Sequence, residues 1–251
     1  MARPDHIYQM MLSAKVHKKK CFAVLLDPDK ATEGSLEKRI RLANDADVDF
    51  FFLGGSLIVK DRLDFCLDFI KNHSSIPTIL FPGSPLQINY KADALLFLSL
   101  ISGRNAELLI GQQVISAPYL YQSRLEVIGT GYMLVEGGVP TTVSYMSHTV
   151  PIPADKPEIA MATALAGEML GLKTLYLDSG SGAQRPVSEE MIWTVSSKVS
   201  IPLIVGGGIR QPEIAYQSAQ AGADVVVVGN SIEQSPGLIQ ELSAAIHDCS
   251  A

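Results

Sequence analysis

Short apolar runs rich in β-branched residues recur along this chain, separated by longer segments whose apolar positions fall three and four apart. The runs at 22–26, 48–53, 78–81, 94–98, 125–135, 174–177, 201–205 and 224–228 predict strands. Helical spacing predicts helices over 33–46, 60–72, 105–116, 157–170, 187–198, 211–221 and 236–246. Thr32 is placed to cap the first of these, and Pro157 sits in the first turn of another. A leading helix over 6–19, with Ile7, Met10, Met11 and Ala14 on one face, precedes the first strand. Eight strands alternating with helices predict an α/β fold, a (β/α)8 TIM barrel. A doubly wound open sheet is the alternative, but it would not usually place glycine turns after six of its strands. With no internal repeat or linker, one domain over 1–251 is expected.

The rhythm breaks in three places. Residues 84–93 are too few and too Pro-interrupted for a crossover helix, so the third crossover helix is expected to be reduced or missing. Gly129 and Gly131 predict a bulge in the fifth strand. Residues 136–153 are polar and rich in Gly and Pro, and predict a long irregular functional loop.

Composition narrows the function classes. Hydrophobic residues make up 47% of the 251 positions and charged residues 18%, which suits buried parallel strands. A net charge of −6 argues against a general electrostatic grip on nucleic acid. No apolar run is long enough to span a bilayer, and the first residues do not read as a secretion signal. Cys21, Cys66 and Cys249 lack metal-ligand spacing and read as reduced thiols, so a cytoplasmic location is expected.

In a barrel the chemistry collects where strands end. Gly206-Gly207-Gly208 follows the seventh strand and Gly229-Asn230 the eighth. Two such turns in succession read as a phosphate cradle of bare backbone N–H groups, although glycine also serves simply to make tight turns. Tyr176, Leu177, Asp178, Ser179, Gly180, Ser181 and Gly182 close the sixth strand, and their hydroxyl and N–H donors would hold a second anionic group. Asp27 ends the first strand, with Asp29 and Lys30 in the same turn, and Ser56 follows the second. A carboxylate and a hydroxyl beside phosphates suit Mg²⁺. Arg104, Arg124 and His148 read as surface residues. No Ser/His/Asp arrangement stands out, and no lysine ends a strand in Schiff-base position.

The motifs LLDPDK (25–30), LGGS (53–56), GYMLVEGG (131–138), YLDSGSG (176–182), VGGGI (205–209) and VVGN (227–230) resemble, in order, those of the geranylgeranylglyceryl phosphate synthase family, heptaprenylglyceryl phosphate synthases included. The resemblance implies a prenyltransferase that forms an ether bond between sn-glycerol 1-phosphate and a polyprenyl diphosphate, such as geranylgeranyl diphosphate, and releases diphosphate. It implies Mg²⁺ at Asp27 and Ser56. Glycerol phosphate would lie against 176–182, Gly207, Gly208, Gly229 and Asn230. Asp178 would accept or hold the reacting hydroxyl, with Tyr176 lining the site. The family usually carries Glu where this chain has Asp178, one methylene shorter.

A prenyl groove is expected beside the reduced third crossover, walled by 51–53, 95–99 and 131–135. Homo-oligomerisation and transient contact with a membrane surface are further expectations. Two competing readings remain: another phosphosugar-binding barrel acting as an isomerase or synthase, and a non-catalytic phosphate-binding barrel.

Overall fold

The computed structural model describes residues 5–60 and 62–249. Residues 1–4, 61, 250 and 251, which belong to the expected 1–251 domain and in one case to the 60–72 helix, lie outside that description. The chain begins with α1 (His6–Val16), β1 (Cys21–Leu26), α2 (Glu33–Asp45), β2 (Phe50–Leu53), α3 (Leu63–His73) and β3 (Thr78–Leu80). It continues through β4 (Ala94–Leu100), α4 (Gln112–Gln122), β5 (Glu126–Leu134), α5 (Thr142–Ser147) and α6 (Pro157–Met169). The last third holds β6 (Thr174–Asp178), α7 (Glu189–Ser196), β7 (Leu203–Gly206), α8 (Pro212–Gln220), β8 (Val225–Val228), α9 (Asn230–Gln234) and α10 (Leu238–His247). All eight strands are parallel and close into a barrel, β1 pairing with both β2 and β8.

Strand side chains alternate between two apolar layers, because successive Cβ atoms point to opposite faces. Phe50, Phe52, Ile79, Leu96, Ile128, Tyr132, Tyr176 and Ile204 fill the interior. Phe51, Leu53, Leu80, Leu95, Met133, Leu175, Leu177 and Val205 pack outward beneath the helices. Ile7, Met11 and Ala14 of α1 join the interior cluster and plug the N-terminal end of the barrel. Both carboxylate oxygens of buried Glu126 accept the first N–H groups of α1, from Ile7 at 2.8 Å and Tyr8 at 2.7 Å. A negative charge there also complements the positive end of the helix. Thr32 caps α2 as expected, in a box completed by Ser35.

The third crossover is indeed reduced: between β3 and β4 lies only a 3-10 turn, Pro85–Gln87. Two expectations need correction. β5 carries no bulge, since Ala94 to Leu100 pair one for one with Glu126 to Tyr132, and Thr130 to Leu134 with Thr174 to Asp178. Gly131 is there because a Cβ would come within 2.8 Å of Ile101 and 2.9 Å of both Leu172 and Leu175. The 136–153 segment is not wholly irregular, because Thr141 and Ser144 form a capping box that starts α5. The short α9, which follows Gly229 directly, was not expected either.

At the barrel's base, His247 of α10 sits 2.9 Å from Asp49, whose same oxygen accepts the Phe22 N–H at 2.7 Å. The hydrogen bond to Asp49 holds the imidazole above its ordinary 6.5, against the opposing effect of burial. A raised folded-state value gives stability that is fully present below the unfolded value of about 6.5 and lost as pH rises through the folded one. The urea-midpoint difference between wild type and His247→Gln is therefore expected to be largest in mild acid and to shrink with rising pH across that window. A difference that does not change with pH would contradict the pairing.

Candidate active site at the C-terminal rim

The inward-facing residues at the C-terminal strand ends converge on one basin of ≈ 780 Å³, within the usual range for small-molecule sites. Of the residues singled out in the sequence, Asp27, Ser56, Tyr176, Asp178, Gly180, Ser181, Gly182, Gly207, Gly208, Gly229 and Asn230 all line it. Leu177 and Ser179 do not. Leu177 falls on the outward phase of β6 and packs in the layer under the helices. Ser179 is buried against Gly137, whose Cβ would stand 3.3 Å from that of Ser179, and its hydroxyl has no hydrogen-bond partner.

Asp178 is the buried carboxylate of the basin. Its burial pushes the carboxyl above the ordinary range. Two hydrogen bonds pull the other way: the Tyr132 hydroxyl donates at 2.6 Å and the Gly180 N–H at 2.7 Å. Gly207 packs directly against this group. A Cβ there would lie 2.6 Å from Asp178 Oδ1 and 2.7 Å from the Gly180 nitrogen, and the backbone has φ +82°. Only glycine satisfies both the approach and the dihedral. The β6 and β8 turns meet where the Ser181 hydroxyl donates to Asn230 Oδ1 at 3.0 Å. The two halves of the cradle are thus tied together.

On the opposite side, Asp27 accepts the Asp29 N–H at 3.0 Å and lies 3.3 Å from the Lys30 ammonium. Lys30 also pairs with Glu233 of α9 at 2.9 Å. Asp29 accepts the N–H groups of Val59 and Lys60 at 2.7 and 2.8 Å, which holds the Ser56 loop beside the β1 turn. A Cβ at Gly55 would stand 3.9 Å from Asp27 Oδ1. Among the described residues no group of three or more His, Cys, Asp and Glu could cage a metal ion. The set here is instead a carboxylate, already beside a cation, and a neighbouring hydroxyl. Such a pair suits a hard cation that shares most of its ligands with water and substrate oxygens.

Phe81, Thr142, Arg210 and Glu233 also line the basin and went unmarked in the sequence. Arg210 directly follows the Gly206-Gly207-Gly208-Ile209 turn, so its place in a βα loop was the available signal. Gly55, Ser56 and Phe81 are shared with a second cavity, an apolar slot of ≈ 150 Å³. It runs beside the reduced third crossover, as expected, and its walls match those expected only at Leu95 to Leu98 and Tyr132. They come from 81–85, Leu95 to Leu98, Tyr132, α4 and α5, with neither Gly131 nor 51–53 among them. Phe51, Phe52 and Leu53 are buried in the two core layers instead. His148 is exposed, as expected.

The PcrB family model matches residues 14–247. This chain belongs to the PcrB family. Geranylgeranylglyceryl phosphate synthase of Chitinophaga pinensis is 54% identical over 97% of this chain and 96% of the relative. The protein of that name from Pyrococcus furiosus is 40% identical over 93% of this chain and 92% of its own length. The crystal structure of (S)-3-O-geranylgeranylglyceryl phosphate synthase from Thermoplasma acidophilum, in complex with its substrate sn-glycerol-1-phosphate, superposes with a TM-score of 0.91. It is 32% identical, covering 99% of this chain and 100% of that one. N-acetylmannosamine-6-phosphate 2-epimerase from Clostridium perfringens shares the barrel at 12% identity and a TM-score of 0.58, which speaks to the fold alone.

In this PcrB-family barrel the ionisation of Asp178 depends on a hydroxyl from the neighbouring strand. Because that hydrogen bond favours the carboxylate, Tyr132→Phe is expected to raise the pH at which Asp178 loses its proton. Carboxyl ¹³C chemical shifts followed through a pH titration would show it. A midpoint that stays put or falls would mean the Tyr132 contact does not tune the acid.

Proposed function

We propose that this protein joins sn-glycerol 1-phosphate to a polyprenyl diphosphate, geranylgeranyl diphosphate being the expected donor, and releases diphosphate. The observation that carries the reading is the wall shared between the polar basin and the apolar slot, at Gly55, Ser56 and Phe81. A small phosphorylated acceptor and a long hydrocarbon donor need opposite environments that meet at the reacting atoms. A phosphosugar isomerase needs only the basin. The names of its relatives and the glycerol phosphate held by the Thermoplasma acidophilum protein support the same reading.

The N–H groups around Gly180, Gly207, Gly208 and Gly229 would bind the acceptor phosphate and fix its orientation. Tyr176 walls the acceptor off from the interior. With the phosphate anchored, the acceptor's 3-hydroxyl is presented to C1 of the donor as an oriented nucleophile. Asp178 takes the hydroxyl proton, and its raised acidity range suits a group that must both accept and release a proton. The C1–O bond to diphosphate breaks with its electron pair on the leaving oxygen, and the ether C1–O bond forms. Asp27 and Ser56 would hold Mg²⁺, which when bound neutralises the departing diphosphate. No helix among the described residues is long and apolar enough to cross a membrane. Meeting a lipid-borne donor would therefore rest on transient surface contact, and self-association is also proposed.

Incubation with both substrates and Mg²⁺ is expected to yield the ether, with sn-glycerol 1-phosphate preferred over the 3-phosphate. Equal turnover of the two enantiomers, or full activity in excess chelator, would overturn the proposal. Asp27→Ala is expected to lose several kcal/mol of transition-state stabilisation while calorimetric binding of glycerol phosphate survives. Loss of that binding would show the division of the basin to be wrong.

The slot makes a separate prediction. Ser116 of α4 lines it and is buried, and an indole there would fill much of its width. Ser116→Trp is expected to lower kcat/KM for a long donor at least about tenfold relative to a short one, equivalent to about 1.4 kcal/mol. An unchanged chain-length preference in a variant with wild-type Tm would place the hydrocarbon elsewhere.

A further inference from the structure

Four aromatic rings cluster where the basin meets the slot. Phe81 stacks on Tyr176 with centroids 5.0 Å apart and planes 19° apart. It also lies 6.0 Å from Tyr132 and 6.3 Å from Phe52. Tyr132 and Tyr176 meet edge to face at 5.6 Å. Phe52, Tyr132 and Tyr176 are buried, whereas Phe81 is half-buried. Tyr176 faces the basin, Tyr132 the slot, and Phe81 alone among the four lines both.

Its position is fixed from both sides. The Phe81 N–H donates to the Leu53 carbonyl at 2.9 Å, immediately before the turn that carries Ser56. One ring face is occupied by Tyr176, and the residue lines both cavities where they meet. On the proposed reading, donor C1 must sit in the passage between the cavities, because its diphosphate belongs with Asp27 and Ser56 and its tail with the slot. As the C1–O bond stretches, positive charge spreads over the allylic carbons, and the passage offers them no carboxylate on the slot side. An aromatic face attracts such charge through its quadrupole without competing as a nucleophile.

We propose that Phe81 is a catalytic residue whose ring stabilises the allylic cation formed as diphosphate leaves, until the acceptor 3-hydroxyl closes the ether bond and gives its proton to Asp178. The inference rests on the prenyl-transfer reading, and it assigns a role to a side chain that carries no polar chemistry of its own.

The test replaces Phe81 in the full chain by mono-, di- and trifluorophenylalanine and measures single-turnover rates with geranylgeranyl diphosphate, sn-glycerol 1-phosphate and Mg²⁺. Fluorine drains the ring's negative face while leaving its shape almost unchanged, so a packing role predicts a flat series. The expected result is a stepwise fall in the logarithm of the rate, reaching about tenfold at trifluorophenylalanine, with donor affinity and Tm unchanged. Phe81→Leu, which keeps the apolar lining, is expected to lose at least as much. A flat fluorine series, with wild type active, overturns the role of Phe81. Absence of ether product from the wild type overturns the prenyl-transfer reading instead.

Discussion

A side chain at the C-terminal end of a barrel strand has two destinations, the interior or the layer beneath the helices, and strand alternation decides between them. Here that parity places Tyr176 and Asp178 inward and Leu177 outward. It also brings Tyr132 of β5 level with Tyr176 of β6, as their pairing requires. The site is therefore a product of register. Sliding β6 by one residue would bury the carboxylate under a helix and present a leucine to the basin.

Placing a carboxylate in such a core is unfavourable unless donors meet it. The Tyr132 hydroxyl and the Gly180 N–H supply them in this buried setting. The same enclosure raises Tyr132 and Tyr176 well above the ordinary tyrosine value of 10.0. Both phenols thus stay neutral beside Asp178, so the acid is the group in this cluster poised to change charge. Across the basin, Lys30 sits between Asp27 and Glu233. That side keeps its charges partly exposed, in contrast to the buried arrangement around Asp178.

The sequence revealed the strands well, because a strand covered on both faces is a continuous apolar run whatever lies next to it. It revealed the rim positions because glycine is required where backbones crowd, as Gly207 does against Asp178. Less was legible where tertiary context decides. The glycine of β5 read as a bulge because its true reason, the approach of Leu172 and Ile101, lies in other elements. The α5 segment read as a loop because its helix is short and polar, though the Thr141–Ser144 box marked its start. A motif read as a block, 176–182, hid the alternation that removes Leu177 and Ser179 from the basin. Phe81 went unmarked as the last residue of a predicted strand, and only the meeting of two cavities singles it out.

The closing seam of the barrel lies between β1 and β8, where Cys21 pairs with Val225 across nearly the whole chain. Lys15 reaches Asp224 at 2.9 Å, Lys20 donates to the Ala223 carbonyl at 2.8 Å, and the Cys21 N–H to the Asp224 carbonyl at 2.9 Å. Loop closure over such a span is entropically slow, so this seam belongs to the late stages of folding. Until the last strand arrives, β1 presents an unpaired apolar edge, the feature most prone to pairing with another chain. A chain emerging from the ribosome must keep that edge from its neighbours until Val225 to Val228 have been made. The lysines flanking β1 place charge beside the edge during that wait.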